Sequence, residues 1–332
     1  MDNAVAMTGV RPKSKVTGFT LKMIALITML IDHFSAVLLQ PYYADVMASI
    51  PTHEAREAWR AAHPLWTYGP IALRVIGRFA FPIFVFLLVE GFIHTRSKKN
   101  YALNLGIFAL ISEIPFNLAH GKIFDLSTQN VYFTLLLGLL CLWAIEEIGF
   151  KRKLSDKMSK LILPTSIVLG AFMGIIALND GLALLINYFV ELPFYTYIIA
   201  GAVISFLVAL IASRNWDVDK KNKFVVIAGL FVVFGGVAEL LHTDYSGLGV
   251  ATILVMYLLK EKKNKRFALG CLVLSVFSFI EAASFLMLVP VALYNGQRGP
   301  KVNKYFFYAF YPVHLLILYF IAKMIGIVNF GG

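Results

Sequence analysis

Arg74 and Arg78 stand i, i+4 at the head of an otherwise apolar run, RVIGRFAFPIFVFLLVEGF. On a helix they share one face, and two guanidiniums on one face repel unless anions meet them. Protein carboxylates can serve, with Asp32 and Glu113 also set in apolar surroundings. A phosphate-bearing ligand can serve as well, because the guanidinium fork matches phosphate geometry. His33 closes a second apolar run, LKMIALITMLIDH. Histidine titrates near neutral pH, so His33 is the best general base of the set; the plainer reading is a packed, hydrogen-bonded ring. Asp32 precedes it directly, and on a helix the two side chains diverge by about 100°. Asp32 is therefore expected to pair with an arginine and not to orient His33.

The elements that carry these residues follow from composition. The 332 residues are 59% hydrophobic and only 15% charged, with a mean hydropathy of +0.75. A soluble domain has about 25% charged residues, so the solvent of this chain is lipid. The expected fold is all-α, a polytopic integral membrane bundle of about 10–11 transmembrane helices. Helices are read at about 20–40, 68–94, 101–119, 130–148, 161–178, 194–212, 223–241, 246–259, 267–280, 284–294 and 305–326. The segment 267–294 is read as a tight hairpin with Glu281 near its tip, and 180–193 as an interfacial helix. Domain organisation is a basic arm, 1–19, followed by one transmembrane domain, 20–326, with an extracytoplasmic loop at 41–66.

The net charge of +11 is an orientation signal and not a nucleic-acid footprint. Lys and Arg crowd alternate loops, from Arg11, Lys13 and Lys15 through Arg96–Lys99, Lys151–Lys160, Arg214–Lys223 and Lys260–Arg266 to Arg298–Lys304. The opposite loops hold only Arg56, Arg60 and Lys122. The positive-inside rule then places the N-terminus in the cytosol of a multi-pass plasma-membrane protein. Cys141 and Cys271 lie within helices, with no metal spacing, and no metal is expected. No signal peptide, P-loop or dinucleotide fingerprint is present.

Depth brings the polar residues together. At about 1.5 Å rise per residue, His33 lies roughly 20 Å from the inner face, Arg74 and Arg78 roughly 9 and 15 Å below the outer face, and Glu113 and Asn117 roughly 18 and 24 Å from the inner one. Asn130 and Tyr132 open the next helix at the outer side. Asp32, His33, Arg74, Arg78, Glu113, Asn117 and Asn130 thus share one layer, and ionisable groups in a span default to function. His314 follows the kink expected at Pro312 and either lines the same cavity or closes a helix break. Glu239, His242 and Asp244 end a helix at the outer side, as acceptor contacts or as a solvated loop. Asn295–Gly299, with Arg298, is an inner basic loop able to meet a nucleotide or simply to turn the chain.

The runs already quoted, with ALISEIPFNLAH, FDLSTQNVYFTLLLGLL, LYNGQRG and FYAFYPVHLLILY, resemble the TraX family in order and over nearly the whole chain. That family is named for a conjugation protein that acetylates the N-terminus of F-type pilin. It is similar in architecture to transmembrane acyltransferases such as the acyltransferase-3 proteins and heparan-α-glucosaminide N-acetyltransferase. A histidine in an early helix and an RxxxR arginine pair are characteristic of acyltransferase-3 proteins, and His33 with Arg74–Arg78 looks like their counterpart. The resemblance implies an acetyltransferase with acetyl-CoA as donor and a pilin-like peptide or a glycan as acceptor, by amine or hydroxyl. The expected assignment is then His33 as base, with Arg78, Arg74 and Asp32 beside it in the catalytic layer. Glu113, Asn117, Asn130, Tyr132 and His314 are expected around the substrate, and Arg298 toward the nucleotide. Arg74, Arg78 or Asn130 can hold the oxyanion. A transporter or flippase for an anionic substrate would use the same arginines without a thioester, and a non-catalytic conjugation or envelope protein would use the layer only to hold helices.

Overall fold

The computed structural model describes residues 16–179 and 186–327. It is a helical bundle, and among the described residues eight helical segments are long and apolar enough to cross a membrane: Gly18–Ser49, Pro64–His94, Lys98–Ala119, Val131–Phe150, Asp156–Leu178, Phe194–Asn215, Val218–Leu240 and Lys304–Met324. Two shorter apolar helical stretches are Ser246–Leu258 and Phe279–Ala292. Arg11, Lys13 and Lys15 of the basic arm, and residues 180–185 of the expected interfacial helix, lie outside the described residues.

The first span is α1 (Gly18–Phe34), one π-helical turn (Ser35–Leu39) and α2 (Gln40–Ser49). Thr17 starts α1 with a reciprocal capping box to Thr20, which satisfies donors that a helix start leaves open. The π turn begins two residues after His33, and such bulges tend to mark functional positions. The segment read as an outer loop at 41–66 is largely helical: α2 runs on to Ser49 and α3 (His53–Ala62) is capped by Thr52. α3, HEAREAWRAA, has no buried residue and too few apolar side chains to read as a membrane helix.

The span read as one helix over 68–94 is two, α4 (Pro64–Gly77) and α5 (Ala80–His94). The amides of Arg78 and Phe79 bond back three residues, to the carbonyls of Val75 and Ile76, tightening the last turn of α4. Pro82 then sits in the first turn of α5, where its missing N–H costs nothing. Gly77 lets the break close on α1, since a Cβ there would lie 1.9 Å from Asp32 Oδ1. Gly77→Ala is accordingly expected to cost about 1–3 kcal/mol, read as a lower unfolding temperature in detergent; an unchanged temperature would mean that α1 and α4 part freely here.

The rest are α6 (Lys98–Ala119), α7 (Val131–Ala144), α8 (Ile162–Asn179), α9 (Phe194–Ala212), α10 (Val218–Leu240), α11 (Ser246–Leu258), α12 (Lys263–Phe277), a 3-10 segment (Phe279–Met287) with α13 (Leu288–Ala292), and α14 (Lys304–Met324). α11 is buried from Gly247 through Leu254 and again at Met256 and Tyr257, so it is apolar all round and forms the centre of the core. α12 to α13 is a hairpin: Lys263 Nζ, at its start, donates to the carbonyls of Ala292 and Tyr294, at its end, at 2.9 and 2.7 Å. α9 lies outermost, held on α8 by backbone approach at Gly170 and Gly201, the small-residue contact of membrane helices.

At the end that carries the basic loops, the start of α1 is knit to the turn before α14. The amides of Gly18 and Phe19 donate to the carbonyls of Gln297 and Arg298 at 2.8 and 2.9 Å.

Candidate functional site

The last turn of α1 and the break between α4 and α5 meet in an ion network. Asp32 is buried at 6% exposure. Its Oδ2 accepts from Arg74 Nη1, and its Oδ1 accepts from Arg78 Nη2 at 2.8 Å. Arg78 Nη1 donates onward to Glu281 at 3.0 Å and to the Tyr245 hydroxyl at 3.3 Å, while its Nε donates to the Arg74 carbonyl at 3.2 Å. The two guanidiniums are therefore met by two protein carboxylates, and the set closes neutral. Every nitrogen of Arg78 is engaged. Among the described residues Arg74 donates only through Nη1, and its side chain is 30% accessible, so Arg74 is the arginine with donors to offer.

Glu281 arrives from the hairpin, one turn past the bend at Ser278, and is 2% exposed. Tyr245 arrives from the tight connection between α10 and α11, where His242, Tyr245 and Ser246 all have positive φ, at 49°, 64° and 36°. Left-handed backbone at non-glycine residues is strained and persists only when its surroundings hold it. Here the Tyr245 ring stacks on Phe81 with centroids 3.7 Å apart. The neighbouring Asp244 is accessible to solvent.

His33, on the face of α1 next to Asp32, does not join this network. Its Nδ1 lies 2.6 Å from His314 Nε2 on α14, and the rings are stacked with centroids 4.9 Å apart. Tyr311 packs edge-on against both rings at 5.8 and 5.9 Å. α14 reaches this position through Pro312. A proline has no N–H, so the Tyr308 carbonyl one turn earlier loses its helix partner; the Tyr132 hydroxyl of α7 donates to it at 2.9 Å. Tyr132 thus ties α14 to α7 just below the histidine pair.

The remaining polar residues of the layer form a separate group. Asn130 caps α7 through Oδ1, which accepts from the Tyr132 amide at 3.0 Å. Its Nδ2 donates to Glu113 at 2.6 Å and to the Ala109 carbonyl at 2.8 Å. Glu113 therefore meets Asn130 and not the arginines; Glu281 takes the place expected of it. Glu113 Oε1 and Asn117 Nδ2 are buried without a hydrogen-bond partner among the described residues.

A cavity of about 820 Å³ opens at the basic end and runs up between α1, α5, α6, α7 and α14. Lys22, Arg96, Arg298, Lys301 and Lys304 stand around its mouth, with His94 and Asn100. Leu26, Phe84, Leu88 and Leu105 line its throat, and Met29, Phe81, Tyr132 and Tyr311 its upper end. Tyr311 touches both the cavity and His33. The volume is that of an ordinary ligand site, and a cationic mouth over an apolar shaft suits a long molecule with an anionic head.

Of the residues read from the sequence, the structure brings Asp32, Arg74 and Arg78 into one network, His33 and His314 into one pair, and Glu113 with Asn130 into one contact. Tyr132 and Arg298 both line the cavity. Tyr245 and Glu281 were not read as partners of Arg78. For Glu281 a signal existed, since it is the lone acidic residue after Glu261 and lies in an apolar run. For Tyr245 no signal existed, because the strained turn that places it has no sequence signature.

Compared with known proteins, residues 17–192 and 183–322 match the family model described as TraX protein. A relative described as "Probable fimbrial assembly protein FimC, serogroup H1", from Dichelobacter nodosus, is 27% identical over 312 residues, covering 91% of this chain and 94% of its own length. No solved structure matches.

Proposed function

The chain belongs to the TraX family, and from that premise we propose that it is a membrane-embedded acetyltransferase, moving acetyl from cytosolic acetyl-CoA to an amine or hydroxyl beyond the plasma membrane. The observation that carries the reading is the cavity. Its mouth has five cationic side chains for the nucleotide phosphates, its throat is apolar along the path a pantetheine arm would take, and its upper end stops at Tyr311, against His33. The N-terminus and the basic loops are then cytosolic. The description of the relative as a probable fimbrial assembly protein makes the N-terminal amine of a pilin-like subunit the first acceptor to try.

The chemistry needs few parts. The acceptor nitrogen or oxygen attacks the thioester carbonyl. His33 takes the proton that the attacking atom loses. The carbon–sulfur bond breaks, and that proton returns to the departing sulfur. Arg74, with free donors at the same depth, is the group placed to meet the oxyanion, while Arg78 holds Asp32, Glu281 and Tyr245 in position.

The test is acetyl-CoA binding to the purified protein in detergent. Saturable binding is expected, and Arg298→Glu should weaken it about tenfold or more, a change of about 1.4 kcal/mol, at low salt and less at high salt. Folded protein that binds neither acetyl-CoA nor other acyl-CoAs would overturn the reading and favour transport of an anion through the same cavity.

A further inference from the structure

The histidine pair carries an inference about which nitrogen does the work. His314 Nδ1 lies 2.7 Å from the Phe310 carbonyl oxygen. A carbonyl only accepts, so Nδ1 of His314 bears the hydrogen. In a neutral imidazole its Nε2 is then a bare lone pair. The short contact to His33 Nδ1 at 2.6 Å must therefore be filled by a hydrogen on His33 Nδ1. That leaves His33 Nε2 as the unprotonated nitrogen, and among the described residues it makes no hydrogen bond. The ring is partly accessible. One direction of donation runs through the whole chain: His33 to His314, and His314 to the backbone of α14.

We propose that His314 is a positioning residue that holds His33 in the Nδ1–H tautomer, so that Nε2 is the atom that takes the proton from the acceptor. The proposal rests on the reading of His33 as the base. His314 does here what a carboxylate does behind a histidine in other acyl-transfer sites: it accepts from the far nitrogen and keeps the near one free. A neutral acceptor suffices, because the imidazolium formed on proton uptake keeps Nδ1–H donating to the same lone pair. His314 itself is fixed by two features. Phe310 stacks on it with ring centroids 5.0 Å apart, and the Phe310 carbonyl, one turn back on the same helix, orients its ring.

The protein in proteoliposomes, given acetyl-CoA and a synthetic peptide with a free N-terminal amine, tests this with His314→Leu, His314→Gln and His33→Ala. His314→Leu removes the acceptor and should lower kcat about 10²-fold or more with the KM for acetyl-CoA within about twofold. His314→Gln offers a carbonyl oxygen to His33 Nδ1–H and should recover at least about tenfold of that loss. ¹⁵N-histidine spectra of the wild type should show His33 as the Nδ1–H form. A fully active His314→Leu beside a dead His33→Ala overturns the role of His314 and leaves the base in place. An active His33→Ala overturns the base reading itself. Equal loss in folded Leu and Gln variants, or an Nε2–H signal for His33, assigns His314 a structural role only and overturns the proposal. Should His314→Leu fail to fold, the wild-type spectrum and the Gln variant decide.

Discussion

Replacing His33 with alanine is expected to lower acetyl transfer about 10²–10⁴-fold while acetyl-CoA still binds. The two effects separate because the ring stands beyond Tyr311, outside the residues that line the cavity. On the proposed reading, donor affinity resides in the cationic mouth and the apolar throat, and His33 is not among the residues that line them. On the proposed mechanism, what is lost is the atom that takes the proton from the acceptor. Folding should suffer less than catalysis. His33 is only partly buried, and its removal leaves one unfilled acceptor on His314, a cost of about 1–3 kcal/mol. The measurement is kcat with a peptide amine acceptor, beside the dissociation constant of acetyl-CoA for the same preparation. Full transfer by His33→Ala would remove the central assignment, and lost donor binding would mean that the ring shapes the cavity instead.

The parts of this site that could be read from the sequence are those fixed by the rise of a helix. His33, Arg74 and Arg78 fall at one depth because each lies a set number of residues from a span end, and 1.5 Å per residue leaves little freedom. The hairpin near Glu281 was legible for a similar reason: 267–294 is too long for one crossing and too short for two. Contacts between distant helices were not legible. His33 and His314 are 281 residues apart, and their meeting depends on how α14 packs beside α1, on which periodicity is silent. The same holds for Arg78 and Glu281, 203 residues apart. The break at Gly77–Phe79 was hidden by the apolar run continuing through it, with Gly77 and Pro82 its only marks. Depth offered both Asp32 and Glu113 as carboxylates for the arginines, and only Asp32 meets them, because depth alone does not say which way a side chain faces around its helix.

The largest loss of stability should come from Asp32→Ala. The carboxylate lies between two guanidiniums on the buried side of α1, and Glu281 is left as the only other anion in the network. Removing one partner of a buried ion set leaves charge uncompensated in a medium that solvates it poorly, at a cost of about 3–5 kcal/mol. The alanine also opens the space that Gly77 was cleared to accommodate. Asp32→Asn keeps the volume and one acceptor, so it should cost less than alanine and more than a surface change. Arg74→Ala in the Asp32→Ala background removes the surplus cation and should recover part of the loss, a coupling that a double-mutant cycle isolates. Unfolding temperatures in detergent would give all four corners. If Asp32→Ala unfolds like the wild type, the arginines are not held by this carboxylate, and the pair is free to meet an anion from outside. If it unfolds early and Arg74→Ala restores it, the network is the clasp by which α1, the broken α4–α5 span and the hairpin fix the layer that holds His33.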